Sequence, residues 1–487
     1  MKKNRKKTNK KVHVFLIFST LFLLSIIFCL KITENGTYTI LDCSTAEATP
    51  IKTYHHFLFA KLKLDSLSNH NSLCIQNEDG KVIALQEGLV NLHTKDISEN
   101  TPYIEDATGK EGYLNGSYGT DALYIKTNPS GTKVLAMISG VKAWFNIEDI
   151  QLYFFNDSLS VSSYTNINNT LVHSISNDLL NGYYSNYGIG VAPKFTEQGK
   201  TYYSYDGNWF YTNLSNLSND TKNNTHSLAV NKKPFFNFYQ YVPHRSASTI
   251  SYKELDHFLT SFKGINSKAK TYPCLENESA LYKSGKFFIE AQNEYSINST
   301  MMYTLALNES GFGQSQYSIE NNNFFGHAVY DSNPDAANSY KSLKDCLNQH
   351  AYNFIQQGFA NPNDERYHGS WFGNKGSGIN VSYASDPYWG EKAAYFYYQI
   401  DSQNNLKDFK SIPIHTEIVK NDISIYSDKH MKHILYTYHK GSVLSYVIDA
   451  KNKKIITLQS EVPIQNYKID INKIYKEDKA YIKTKSK

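Results

Sequence analysis

An excess of charge of either sign is lacking in this chain, with 50 Lys and Arg against 45 Asp and Glu. The formal net charge is +5 over 487 residues, and part of it lies in the first eleven. A nucleic-acid-binding protein gathers its basic charge in a folded patch, so nucleic acid is not expected as a partner. Cysteine is scarce as well, with five residues: Cys29, Cys43, Cys74, Cys274 and Cys346. Four of them, spread beyond an N-terminal apolar run that holds Cys29, do not make a disulfide framework; free, packed thiols are expected. Metal chemistry lacks its ligands, because Cys346 and His350 stand four apart on a predicted helix with no further Cys/His pair to join them. There is no glycine-rich phosphate loop, and no nucleophilic Ser or Cys in a strand–turn–helix setting. No metal and no cofactor are expected.

Aromatic residues are abundant instead, with 39 Tyr and 26 Phe. Tyrosine-rich β surfaces suit carbohydrate, whose rings stack on aromatic faces, and tyrosine is equally a good strand former. Composition leaves both readings open. The length allows two to four domains with sizeable cores. Residues 1–11 form a basic segment with Lys2, Lys3, Arg5, Lys6, Lys7, Lys10 and Lys11, and an apolar run follows from Val12 to Leu30. A run of about nineteen residues is long enough to span a bilayer, and the basic flank holds the N-terminus in the cytoplasm. Residues 12–32 are therefore expected to be an uncleaved signal anchor. That transmembrane helix makes the membrane a partner and leaves the rest of the chain extracytoplasmic. The alternative is a signal peptide cleaved at Ala46-Glu47-Ala48, which would release the protein.

Residues 33–70 read as a linker. From 71 to 155, short strands such as Ala122–Ile125, Lys133–Gly140 and Val141–Phe145 alternate with glycine-bearing turns, the pattern of a small β barrel. Residues 156–245 form a Tyr/Asn-rich β region, in which the stretch from Tyr202 to Tyr211 reads as a hairpin turning at Asp206-Gly207. Residues 246–402 are mostly helical in pattern. Helices are expected over Leu255–Leu259, Ala280–Glu294, Ser296–Asn308, Ser342–Gly358 and Gly390–Asp401, with an irregular or hairpin segment from Asn321 to Tyr340. A polar linker from Asp401 to Lys410 leads to a second β pattern over 411–487.

The stretch from Ser296 to Gly326 carries the strongest chemical signal. Ile297, Met301 and Leu305 recur every fourth residue along one helical face, and the next turn lands on Glu309. Gly311 and Gly313 follow and should close the helix. A carboxylic acid at the margin of a core is desolvated. At a helix C-terminus it also meets partial negative charge. Both effects raise its pKa, and an acid still protonated near neutrality serves as a general acid. Taken alone, a Glu-Ser-Gly triplet reads equally as a solvated helix end.

Two further signals follow in order: Asn323-Phe324-Phe325-Gly326, and the segment from Tyr383 to Lys392, YASDPYWGEK. Together the three resemble the glucosaminidase family of bacterial cell-wall hydrolases, most closely the daughter-cell-separating endo-β-N-acetylglucosaminidases of Gram-positive cocci. The resemblance implies cleavage of the β-1,4 bond that follows N-acetylglucosamine in peptidoglycan glycan strands. The flanking β patterns resemble bacterial SH3-like modules, which bind peptidoglycan or brace a neighbour. The fold class expected is thus multidomain. A lysozyme-like α+β catalytic domain at 246–402 lies between small all-β SH3-like modules, preceded by an N-terminal transmembrane helix.

Glycoside hydrolysis normally needs an acid and a second group that activates water or traps the sugar. Glu309 is the candidate acid. The second group is Asp386 in the Tyr-x-x-Asp-Pro segment, or Asp331, with Asp335 close by, after Asn-Phe-Phe-Gly. A third possibility is the acetamido group of the substrate itself. Asn323, Phe325, Tyr383, Tyr388 and Trp371 are candidate substrate-binding residues, each with an alternative as turn, cleft-floor or core packing. Two other functions stay open: a lytic transglycosylase or muramidase cutting after N-acetylmuramic acid, and a non-catalytic wall-binding protein.

Overall fold

The computed structural model describes residues 35–45, 47–67, 72–261, 279–327, 338–452 and 454–483. The expected anchor at 12–32 lies outside the described residues, as do Asp331, Asp335, Cys29 and Cys274. Among the described residues no helix is long and apolar enough to cross a membrane.

Residues 35–56, expected to be part of a linker, are two strands. β1 (Asn35–Asp42) and β2 (Thr49–His56) pair antiparallel. With β3 (Leu73–Gln76) and β4 (Val82–Leu85) they form a sheet of order β2-β1-β3-β4. The linker expectation failed because β2 is an edge strand whose side chains are mostly exposed. Backbone pairing holds such a strand, so no apolar alternation announces it. The helix Phe57–Ser66 then folds back over this sheet and buries Phe57, Ala60 and Leu64.

The next seven strands are β5 (Leu89–Asn91), β6 (Thr101–Glu105), β7 (Glu111–Leu114), β8 (Asp121–Thr127), β9 (Lys133–Ile138), β10 (Val141–Asn146) and β11 (Gln151–Tyr153). They pair in the order β11-β5-β8-β9-β10-β6-β7. Inward residues such as Leu114, Val134, Ile138 and Phe145 join Ile40 and Ile75 of the first sheet and Phe57 of its helix in one core. The all-β unit thus begins near residue 35 rather than 71.

A third sheet holds β12 (Ser163–Ile167), β13 (Thr170–Asp178), β14 (Tyr183–Val191) and β15 (Thr201–Tyr202), in the order β14-β13-β12-β15. The expected turn at Asp206-Gly207 is present. Tyr203 bridges Tyr211, Asp206 Oδ1 accepts from the amides of Asn208 and Trp209, and Gly207 has φ +70°. Tyr202, Tyr205 and Tyr211 are buried, so these rings pack internally and are not free to meet a glycan.

The described residues between 246 and 402 are mostly helical. The helices include Tyr252–Ser261, Gly285–Tyr295, Ser299–Glu309, Leu343–Gln349 and Trp389–Gln403. The helix expected over Ser342–Gly358 changes character midway, and His350–Phe359 is wound as a wider π-helix. Among the described residues of this region the only β pairing is an isolated bridge between Asn374 and Ser377. The β part of the expected α+β domain is therefore not seen: residues 321–327 form an irregular loop, and 328–337 lie outside the described residues.

The expected polar linker at 401–410 is also corrected. The long helix continues to Gln403, and a short helix covers Lys407–Ser411. Asp401 and Asp408 are fully buried. Asp401 accepts from Tyr239 Oη (2.9 Å) and the Asp408 amide (2.9 Å), and Asp408 from Ser248 Oγ (2.6 Å) and Tyr397 Oη (2.7 Å). Polarity here marks a buried hydrogen-bonded joint, because a buried carboxylate is kept only where donors surround it.

The C-terminal sheet contains Ile414–Ile418, Val443–Lys451, Ile455–Gln459, Lys479–Lys483, Ile423–Tyr426 and Ile434–Tyr438, in that spatial order. Buried Arg245 fastens it to the helices. Its Nε donates to the Glu461 carbonyl (3.1 Å), one terminal nitrogen donates to the Tyr295 carbonyl (2.7 Å), and its guanidinium lies 3.9 Å from the Tyr475 ring centre.

Candidate active site

The helix that ends at Glu309 starts at Ser299, three residues later than its periodicity indicated. Ser296 closes the preceding helix with φ +50°, and Asn298 then caps the new one by accepting from the Met301 amide at 2.9 Å. Ser299 through Leu307 are all buried. Met301 and Leu305 are thus part of a helix enclosed on every side, and Ile297 is buried just ahead of its cap. Its end is set by glycine. Gly311 has φ +53° and Gly313 φ +74°, and a Cβ on Gly313 would sit 2.7 Å from Ser279 Oγ and 2.9 Å from the Leu281 nitrogen.

Glu309 emerges from this buried helix with one carboxylate oxygen held twice. Oε1 accepts from Trp389 Nε1 at 2.6 Å and from Asn308 Nδ2 at 2.9 Å. The Asn-Phe-Phe-Gly loop passes beside the other oxygen, since a Cβ on Gly326 would lie 3.7 Å from Oε2. Burial raises the pKa of Glu309. The two hydrogen bonds pull it down, the nearby charge of Asp386 pushes it up, and the net shift is upward.

Asp386 stands at the entry to the Trp389–Gln403 helix. Its Oδ1 accepts from the Tyr388 amide at 2.8 Å, and its Oδ2 pairs with Lys392 Nζ at 2.5 Å. Burial works against the charge of Lys392, but attraction to Asp386 holds its pKa above the usual lysine value. Tyr383 completes the cluster. Its ring lies 4.6 Å from Trp389, and its hydroxyl donates to the Phe325 carbonyl at 2.6 Å.

The fold therefore brings Glu309, Asp386 and Tyr383 near one another and buries the side chains of the other described candidates. Tyr388 is buried in the core of the seven-stranded unit, with its ring 4.9 Å edge-on to His173, so it does not line a groove. Trp371 is wholly buried in the C-terminal core beside Tyr241 and Val419, so it offers no stacking surface to a sugar. Phe325 is buried and stacks on His350 at 3.7 Å. Asn323 is buried and closes its own loop, exchanging bonds with the carbonyl (2.9 Å) and amide (3.0 Å) of His327. Both side chains are thus buried and turned to internal partners. Asp331 lies outside the described residues.

The site also contains residues that sequence reasoning passed over. Trp389 is the principal hydrogen-bond partner of Glu309, and Lys392 is the counter-ion of Asp386. Both were in plain view in the YASDPYWGEK segment, but nothing local says that the indole N–H reaches a carboxylate 80 positions earlier. The helix they share is gripped from behind. Glu391 is buried and accepts from Tyr164 Oη at 3.0 Å and bonds His173 Nδ1 at 2.5 Å.

A carboxylic acid biased toward protonation, a second carboxylate nearby and an aromatic wall suit acid-assisted cleavage of a sugar acetal. Residues 285–402 match the sequence model of the family described as "Glucosaminidase: Mannosyl-glycoprotein endo-beta-N-acetylglucosaminidase". These residues form a glucosaminidase-family domain. Two curated proteins from strains of Streptococcus pneumoniae, each named "Putative endo-beta-N-acetylglucosaminidase", are 28% identical to the chain over 339 residues, which is 68% of its length. The chain spans 44% and 41% of those relatives. Among solved structures, a catalytic mutant of S. aureus autolysin E in complex with the disaccharide NAG-NAM aligns at 22% identity with a TM-score of 0.26. That alignment covers 34% of this chain and 73% of the autolysin chain. A major bifunctional autolysin aligns at 20% identity with a TM-score of 0.22, covering 34% and 68%.

The glucosaminidase domain so bounded contains Glu309, Tyr383, Asp386, Trp389 and Lys392. Its matched segment ends at residue 402, within the Trp389–Gln403 helix. Among the described residues no group of three or more His, Cys, Asp or Glu is arranged to hold a metal ion. Cys43 and Cys74 are free thiols with their sulfurs 3.8 Å apart, and Cys346 is free and buried.

Proposed function

We propose that this protein hydrolyses the β-1,4 bond that follows N-acetylglucosamine in peptidoglycan, with Glu309 as general acid. The observation that carries this reading is the environment of Glu309: burial favours its protonated form, while Trp389 and Asn308 fix its orientation. In the reaction, the Glu309 proton passes to the glycosidic oxygen as the bond from that oxygen to C1 breaks. Water adds to the oxocarbenium-like C1 and gives up a proton to a base. The products are two shorter glycans, one ending in a reducing N-acetylglucosamine. Asp386 is the second group in this reading. Each of its oxygens accepts one bond from the protein and keeps a lone pair for water. Its charge also opposes ionisation of Glu309, which keeps the acid loaded.

In the same reading the flanking β units are SH3-like and face the wall, and residues 12–32 anchor the chain in the membrane. A cavity of ≈ 420 Å³ on the seven-stranded sheet, lined in part by Tyr113, Trp144 and Asn146, supports a wall-facing role, because sugar rings stack on such aromatic surfaces.

Product analysis tests the activity. Purified peptidoglycan digested with the protein and reduced with borohydride should carry reduced N-acetylglucosamine at its new ends. Anhydro-muramic ends would instead move the protein to the lytic transglycosylases, and reduced muramic ends to the muramidases.

A further inference from the structure

Lys375 lies nearly wholly buried, 3% exposed, in the bridged turn between Asn374 and Ser377. Its ammonium reaches across that turn to the segment that carries Tyr383 and Asp386. Nζ donates to the Ala384 carbonyl at 2.5 Å and to the Asn380 carbonyl at 3.2 Å. Those two acceptors are the first residue and the C-cap of the short Asn380–Tyr383 helix, from which the chain leaves toward Asp386. Lysine is almost never buried without a partner. The charged group facing this one is Asp386, whose attraction partly offsets the burial that lowers the lysine pKa to about 8. The Tyr113 ring lies 6.0 Å away.

The same loop is held from the opposite side by the seven-stranded sheet. In the β9–β10 turn, buried Ser139 donates from Oγ to the Pro387 carbonyl at 2.5 Å, and the Lys375 amide approaches that hydroxyl at 3.5 Å. The Asn115 amide donates to the Ser385 carbonyl at 2.9 Å. Residues 384–387 have no partner strand or regular helix of their own. Their course is therefore set by these donors, by Asn380 Nδ2 on the Pro387 carbonyl (3.0 Å) and by the Lys392–Asp386 ion pair, and among the donors to the backbone carbonyls Lys375 alone brings a charge.

We infer that Lys375 is a positioning residue of this site, clamping the Asn380–Ala384 backbone so that Asp386 is presented toward Glu309. The inference deepens the proposed hydrolase reading and rests on it only where turnover is measured.

The test uses the whole chain and two readouts. Lys375→Met removes every donor while keeping the bulk, and replacing a buried ion by an apolar group need not destabilise the fold. Amide hydrogen exchange should rise at least tenfold in residues 380–386 and stay within twofold elsewhere. Unchanged exchange in that segment, or a uniform rise across the domain, overturns the inference whether or not the protein cuts glycan. In turnover, Lys375→Met should lower kcat at least tenfold with KM within about twofold. The same substitution placed on Asp386→Asn should cost less than twofold, because groups acting as a unit are non-additive. A full tenfold further loss in the double variant would overturn action through Asp386. Localised exchange in a protein that releases no N-acetylglucosamine ends would leave the clamp standing and sink the hydrolase reading alone. Should Lys375→Met fail to fold, Lys375→Leu, likewise without a side-chain donor, is read by the same outcomes.

Discussion

Trp389→Phe isolates the hydrogen bond that matters most to the proposed acid. The substitution keeps a ring against Tyr383, which lies 4.6 Å from the indole, and against Phe372 at 6.1 Å, but deletes the 2.6 Å donor to Glu309 Oε1. That bond favours the ionised carboxylate, so its loss raises the pKa of Glu309. A hydrogen bond to a charged group contributes about 1.5–3 kcal/mol, and one pKa unit corresponds to about 1.4 kcal/mol. The alkaline limb of the kcat/KM profile, where the general acid loses its proton, should therefore move up by about 1–2 pH units. The plateau should fall as well, because only Asn308 then orients the carboxylate. The assay is release of reducing ends from purified wall across the pH range, at substrate well below KM. A limb that stays in place or moves downward, in a protein with a normal melting profile, would refute the assignment of Glu309 as the titrating acid.

Three further outcomes are expected. Glu309→Gln should leave less than a few per cent of turnover while circular dichroism and wall binding stay as in the parent; higher residual activity would move the acid elsewhere. Asp386→Asn should lower turnover by orders of magnitude and shift the alkaline limb downward, since the charge that opposes Glu309 ionisation is gone. If Asp386 is only a turn-stabilising residue, the same change would cost about 1 kcal/mol of stability and leave turnover near normal. His327 is buried, with its Nε2 3.0 Å from His350 Nδ1, and burial lowers its pKa to about 3. A histidine with a depressed folded pKa contributes stability that is complete above its unfolded value of about 6.5. That contribution is lost as pH falls toward 3, by about 2 kcal/mol at pH 5. His327→Gln should shrink the fall in melting temperature between pH 7 and pH 5; an equal fall in both proteins would contradict this.

Much of the candidate site is written in short-range signals. Helix periodicity and the paired glycines after Glu309 are local, because a helix needs only its own residues to place i and i+4 on one face, and only glycine fits the close turn at Gly313. The three motif segments likewise sit within about 100 positions of one another, so their order is visible without a fold. Helix type in the 246–402 region was legible for the same reason, with boundaries shifted by capping residues such as Asn298.

What the sequence could not decide depends on which distant surfaces meet. Trp371, Tyr388 and Trp389 are all large aromatic residues beside glycines, and composition treats them alike. The first is buried by the C-terminal sheet, the second by the seven-stranded sheet, and the third reaches Glu309. The same holds for polar residues. Asp401 and Asp408 read as polar linker positions, yet they, like Lys375, are buried because donors or acceptors from elsewhere in the fold satisfy them. The edge strand β2 is held by backbone pairing with β1 and leaves little apolar pattern behind. Local periodicity fixes which face a residue takes on its own element. Only tertiary packing sets what that face meets, because burial, pKa and hydrogen-bond partners arise from groups far away in the chain.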